Sequence, residues 1–267
     1  MDYAGQCRFS ANLGFLWKDR PFLERIGRAA ATGFEAVEFH DDAQFYDLEA
    51  LRDALAQAGL PVLGINVRMG QTAGCAAIPG MGNQARRDID AAVEVAEAIG
   101  ASAVHVLAGK VNGSGDYSQY LDVLRYALTT SDLTILIEPI SGYAMPGYFL
   151  DSLDLAMEAI DEIGEERLKI LFDCFHIEST HGDVVGRFRS VAPSVGHVQI
   201  ASVPERSEPW PSRIDYAEVI PVFIDCGYDG AFGCEYTPAS TVEAGLGWHE
   251  DLRKGLATAA TNGGGGT

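Results

Sequence analysis

Four short apolar runs in this 267-residue chain each lead to an oxygen-bearing side chain, and their order restricts the fold more than any other feature. Thr134-Ile135-Leu136-Ile137 runs into Glu138, and Pro139 stops it. Leu168-Lys169-Ile170-Leu171-Phe172 ends in Asp173, His197-Val198 leads to Gln199, and Gly230-Ala231-Phe232-Gly233-Cys234 ends in Glu235. Unbroken aliphatic runs of this length suit strands of a parallel sheet covered on both faces. Proline cannot donate to a sheet ladder and biases its predecessor towards extended backbone. The intervals of 35, 26 and 36 residues each fit one strand, helix and two loops.

The rest of the chain repeats this unit. Phe9 to Asn12, Ala36 to Phe39, Val62 to Asn66 and Val104 to Leu107 read as the first four strands. Helical periodicity covers Phe22–Thr32 (with Asp19 as its capping residue), Leu48–Ala58, Gln84–Ile99, Tyr117–Leu128, Ser152–Ile163, Val184–Val191, Tyr216–Cys226 and Val242–Thr261. Gly33, Gly59, Gly100, Gly164 and Gly227 stand where helices should stop. The connection from Arg68 to Gly82 is long enough to suggest a lid. Eight strands alternating with eight helices predict a single (β/α)8 barrel, a TIM barrel, over residues 1–261, with a flexible glycine-rich tail over 262–267. A doubly wound open sheet would carry a glycine-rich phosphate turn after its first strand, and this chain has none.

Composition narrows the partners. A formal charge of −19 argues against nucleic acid or an anionic membrane as a general partner. It also requires any anionic substrate to be met by a local cation. Cys7, Cys75, Cys174, Cys226 and Cys234 are odd in number and lack CxxC spacing, which predicts free thiols in a reducing, cytoplasmic setting. The first residues lack a basic stretch followed by an apolar one, and no run approaches a membrane span. A small-molecule substrate is the partner this leaves, and a homo-oligomer is compatible with it.

In a closed barrel the last four strands are neighbours, so Glu138, Asp173, Gln199 and Glu235 can point at one centre. Oxygen donors of this kind suit Mg²⁺ or Mn²⁺, and three buried carboxylates without a cation would repel one another. The plainer reading is that each acid caps the next helix or meets an arginine. Four such side chains at strand ends favour the divalent metal ion. His176 lies three residues beyond Asp173 and is a candidate for substrate contact, as is His40 at a strand mouth. His105 and His197 lie within strands and read as buried core residues, whereas His181 and His249 read as loop or surface residues. No Ser-His-Asp order, nucleophile elbow, P-loop or HExxH supports other chemistry.

The ordered motifs Phe9-Ser10-Ala11-Asn12, Gly33 to Phe39, Ile78-Pro79-Gly80, Ile137-Glu138-Pro139, Asp173-Cys174-Phe175-His176, Gly196 to Ala201 and Gly233-Cys234-Glu235-Tyr236 resemble the hydroxypyruvate isomerase family, within the xylose isomerase-like barrels. The resemblance extends from Phe9 to Trp248. It implies that Glu138, Asp173, Gln199 and Glu235 bind the metal and that Glu138 and Glu235 also transfer protons. It implies further that His176 and Arg206 contact substrate. A substrate carboxylate needs a cation, for which Arg206 is the first candidate, with Arg68 and Lys110 behind it. The implied reaction interconverts hydroxypyruvate and tartronate semialdehyde, with a longer 2-oxo acid or a ketose open. Ser202, Trp210-Pro211-Ser212-Arg213 and His40-Asp41-Asp42 depart from the family pattern around the barrel mouth. Ala144 stands where ketose 3-epimerases place a glutamate, which counts against that activity. An endonuclease IV-like phosphodiesterase would show more histidines and a basic surface.

Overall fold

The computed structural model describes residues 2–262. Eight strands close into a parallel barrel in chain order: β1 (Phe9–Asn12), β2 (Ala36–Phe39), β3 (Val62–Asn66), β4 (Ala103–His105), β5 (Thr134–Ile137), β6 (Leu168–Asp173), β7 (Val195–Ile200) and β8 (Phe232–Cys234). The ring is sealed by β1 pairing with β8, Ser10 opposite Gly233 and Ala11 opposite Cys234. This is the (β/α)8 barrel that the alternation predicts.

The helices form where capping and periodicity agree. Asp47, Asp116 and Ser152 accept from the backbone N–H groups of Ala50, Gln119 and Leu155, each starting its helix. Their apolar faces pack on the strands in one large core that includes Phe172, Phe188 and Phe223, the last two stacked with centroids 3.9 Å apart. Inside the ring, Ala103, Leu136 and Leu171 form a separate small apolar plug. All five cysteines are free, four of them buried. Among the described residues no helix is long and apolar enough to cross a membrane.

Several expectations need correction. Asp19 does not cap the helix Phe22–Ala31, because Pro21 occupies that position and Asp19 pairs instead with Arg20 at 3.3 Å. The last helix is two, Val242–Gly245 and Gly247–Asn262, separated by Leu246. A further helix, Cys174–Thr180, follows β6 directly. The expected tail beyond Asn262 lies outside the described residues.

The stretch from Arg68 to Gly82 is anchored rather than free. Ala73, Cys75, Ala76 and Ala77 are buried, and Ala76 and Ala77 donate backbone hydrogen bonds to Leu107 and Ala108 at 3.4 and 2.8 Å. Gly74 makes the close approach, with φ +82° and no room for a Cβ against the side chain and carbonyl of Leu107. Backbone pairing of this kind holds a loop against the barrel rim. His249 is another surprise: it stacks on Phe9 at 4.8 Å and meets Trp248 edge-on at 4.1 Å, with a buried Nε2 that has no partner. Burial, reinforced by nearby Arg253, lowers its pKa from 6.5 to about 4.

Two outcomes are expected. Gly74→Ala should destabilise the fold by more than about 1 kcal/mol, measured by denaturant unfolding, because alanine is strained there and collides with Leu107. The unfolded chain takes up a proton at His249 near pH 6.5 and the folded chain only near 4, so this residue erodes stability as pH falls through that window and costs nothing above it. His249→Phe should therefore flatten the acid limb of a Tm-against-pH curve, recovering up to roughly 3 kcal/mol by pH 4.

Candidate active site

The acids of interest gather at the carboxyl-terminal end of the barrel, where chemistry sits in folds of this kind. Glu138 follows β5, Asp173 ends β6, Gln199 lies in β7 and Glu235 follows β8. All four are buried. Carboxyl or imidazole ligand atoms of Glu138, Asp173 and His176 lie within 4.8 Å of one another. Glu235 is tied to the cluster by Arg206, whose Nη2 donates to Asp173 Oδ2 at 2.8 Å and lies 3.4 Å from Glu235 Oε1.

The plainer reading of a strand-end acid holds in part. Asp173 does cap a helix, its Oδ1 accepting from Phe175 N at 2.8 Å, and it does meet an arginine. Glu235 meets the same arginine. Glu138 does neither: its Oε1 is buried without a partner, as is Gln199 Oε1. Two orphaned oxygens beside two ionisable acids are an unusual cost in a buried site. Unpartnered oxygens of this kind are the donor chemistry a hard divalent cation takes, and Asp173 and Glu235 keep lone pairs beyond those given to Arg206.

The electrostatics divide the acids. Burial raises Glu138 well above the usual range, and repulsion from Glu235 and Asp173 adds to it. Burial also lifts Asp173, to about 6, although Arg206 pulls the other way. Burial acts upward on Glu235 too, but Arg206 and the His40 contact outweigh it and bring the group to about 2. The cluster thus holds one carboxyl that favours its proton and one that resists it.

His176 has a definite polarity. Its Nδ1 accepts from Ser141 N at 3.4 Å and lies 3.2 Å from Ser141 Oγ. The ring proton of the neutral form therefore sits on Nε2, which faces Asp173 and Glu138 at 3.5 and 3.6 Å. That is a donor aimed into the cluster, suited to a substrate oxygen more than to a cation. Burial and then Arg206 lower its pKa and keep it neutral.

His40 reaches the site, with Nε2 3.4 Å from Glu235 Oε1. Arg206 is held in left-handed backbone (φ +51°) with its guanidinium between the rings of Phe15 and Phe175, 4.9 Å from each. Its buried Nε has no partner. The other proposed cations are not brought to the acids by any contact among the described residues. Arg68 lies over the Phe45 ring at 4.6 Å, and Lys110 is exposed on the loop after β4.

Sequence reasoning missed Glu38. Its carboxylate is buried inside the barrel, where it accepts from Asn12 Nδ2 at 3.0 Å and Gln199 Nε2 at 2.7 Å and lies 2.7 Å from His197 Nε2. A signal was present: an acid within the apolar run Ala36-Val37-Glu38-Phe39 must find partners. Phe15 and Phe175, the walls around Arg206, and Ser141 were also missed. Their roles depend on the paths of the turn after β1 and the loop after β5, and on the short helix after β6, which periodicity does not describe.

Comparison with known proteins agrees with the fold. Residues 26–256 match the family model described as a xylose isomerase-like TIM barrel. A 2-oxo-tetronate isomerase of Cupriavidus necator is 39% identical over 252 residues, covering 90% of this chain and 96% of that one. The hydroxypyruvate isomerase of Escherichia coli is 36% identical over 257 residues, covering 92% and 99%. A crystal structure of a Brucella melitensis protein named AP endonuclease, family 2, superposes with a TM-score of 0.87 at 30% identity, covering 92% and 98%. The fold, the length of the match and the identity along it agree, and the chain belongs to the xylose isomerase-like TIM barrel family.

Proposed function

We propose that this chain is a metal-dependent isomerase that interconverts hydroxypyruvate and tartronate semialdehyde, or the four-carbon 2-oxo-tetronate counterpart. The observation that carries the proposal is geometric: buried ligand atoms of Glu138, Asp173 and His176 lie within 4.8 Å of one another, Glu138 Oε1 and Gln199 Oε1 are buried without partners, and Arg206 ties Glu235 to Asp173. The names of the Cupriavidus and Escherichia relatives point to the same substrate class.

The conversion moves hydrogen between adjacent carbons of a short 2-oxo acid through an enediolate. A divalent cation held by Glu138, Asp173, Gln199 and Glu235 would polarise the substrate carbonyl and hydroxyl oxygens and acidify the C–H bond between them. One of the two glutamates takes the proton from C3 and the other returns one to C2, while the C3 hydroxyl proton leaves and the C2 oxygen gains one. His176, with its proton on Nε2, donates to the oxygen on which charge develops. Arg206 meets the substrate carboxylate, its free Nε–H offering a donor beside the Nη2 already given to the acids. Phe15 and Phe175 hold the guanidinium in plane and keep water from its faces.

Phosphodiester hydrolysis, the activity for which the Brucella protein is named, is the competing reading. A −19 charge opposes DNA, and the cluster contains one histidine beside two carboxylates instead of a histidine-rich set.

Following hydroxypyruvate and 2-oxo-tetronate by proton NMR in D₂O tests the proposal directly: deuterium should enter at the carbon beside the carbonyl with Mn²⁺ or Mg²⁺ present. Retained protium with every short 2-oxo acid rejects it. Glu138→Gln and Glu235→Gln should each lower kcat by about 10² to 10⁴ with circular dichroism unchanged. Near-normal turnover in either removes that residue from proton transfer. Chelation should abolish exchange and lower Tm. Mn²⁺ at a hundred times its Kd should then restore about 2.7 kcal/mol of stability along with activity.

A further inference from the structure

Glu38 lies on β2, three strands round the ring from Gln199 on β7, yet its carboxylate reaches Gln199. The lane it uses is built into the barrel. Asn12 is its register partner on β1, Gly233 is the register partner of Gln199 on β8, and a Cβ at Gly233 would stand 2.5 and 2.7 Å from the two Glu38 oxygens. A glycine at this point leaves the space the carboxylate fills. The same Cβ would stand 2.8 Å from His197 Nε2, so the three groups share one tightly filled volume.

Glu38 Oε1 accepts from Gln199 Nε2 at 2.7 Å, so the amide presents its NH₂ to the carboxylate. The amide oxygen is then forced to the opposite side. That oxygen is the buried atom without a partner. A glutamine without such an anchor has two nearly isosteric orientations, one of which turns N–H groups towards a cation and repels it. Asn12 on the same Glu38 oxygen, and His197 on the other, stop the carboxylate from rotating away.

We propose that Glu38 is a positioning residue that locks the Gln199 amide with its oxygen towards the divalent cation. The inference rests on the metal-dependent reading above and deepens it, because it names a group outside the ligand set on which cation affinity depends. The role belongs to an acceptor oxygen at this place and does not require the negative charge.

Mn²⁺ affinity of the whole chain, measured by calorimetry or by loss of the free-ion electron paramagnetic resonance signal, tests this independently of turnover. Glu38→Met removes the acceptor at similar length and should weaken Mn²⁺ binding about 10- to 100-fold. Glu38→Gln keeps an oxygen facing Gln199 and Asn12 and can donate to His197, so its affinity should stay within about threefold of the unaltered chain. In a Gln199→Ala background, Glu38→Met should cost nothing further, because the residue through which it acts is gone. Equal losses for Met and Gln, or the same loss with and without Gln199, overturn the proposal in favour of a general charge effect. If Glu38→Met does not fold, Gly233→Ala takes its place. It retains the charge but displaces the carboxylate and should weaken Mn²⁺ at least tenfold, and unchanged affinity there also overturns the proposal. An unaltered chain that binds no Mn²⁺ rejects the metal-dependent reading and this inference with it. Mn²⁺ binding without the Glu38–Gln199 coupling rejects this inference alone.

Discussion

Three buried carboxyls at the barrel mouth share one guanidinium, and the remainder of the site is arranged around that imbalance. Placing like charges together out of water is expensive unless each finds a counter-charge or keeps its proton. Arg206 answers for Asp173 and Glu235, at 2.8 and 3.4 Å, and leaves Glu138 without an ion partner of full charge. Glu138 accordingly favours its proton while Glu235 stays ionised. The same imbalance leaves oxygen atoms with no donor to meet, which is the electrostatic condition for holding a divalent cation.

Holding that arrangement falls to parts of the chain that carry no chemistry themselves. Phe15, in the turn after β1, and Phe175, in the helix that follows β6, enclose the guanidinium of Arg206 and hold it over the acids. Ser141 sets the ring of His176 from behind and thereby decides which nitrogen carries the proton. Below the acids the barrel interior is polar, with Asn12, Glu38, Asn66, His105 and His197 linked in pairs, and the small plug of Ala103, Leu136 and Leu171 is set apart from the main core. Barrel interiors are usually filled by layers of branched apolar side chains. Here part of that filling is given over to hydrogen-bonded groups that position the site. His105 shows the consequence: Asn66 meets its Nδ1 at 3.2 Å, and burial pushes its pKa down to about 3, so it remains a neutral neighbour 3.9 Å from Glu138.

The anchored segment between β3 and the following helix bears on access to this mouth. Its length suggested a moving lid, but its backbone is paired to Leu107 and Ala108 and several of its side chains are buried. Length alone does not distinguish a flap from a loop packed as part of the rim, because the difference lies in tertiary backbone pairing.

The order of elements, the closed parallel barrel and the four strand-end side chains were determined by the sequence alone. Those properties depend on local signals: unbroken aliphatic runs, helical periodicity, glycine stops at Gly59, Gly100 and Gly164, and the spacing between runs. The tertiary structure decided everything that depends on two distant residues meeting. It joined Glu38 to Gln199, 161 positions apart, folded Arg206 back onto Asp173, and moved His249 from an expected surface position into a nest of rings. It also withheld Arg68 and Lys110 from the acids, although both lie in loops at the correct end of the barrel. Periodicity reports which face of an element is covered, whereas the direction of a long side chain across a closed ring depends on what the other seven strands leave empty.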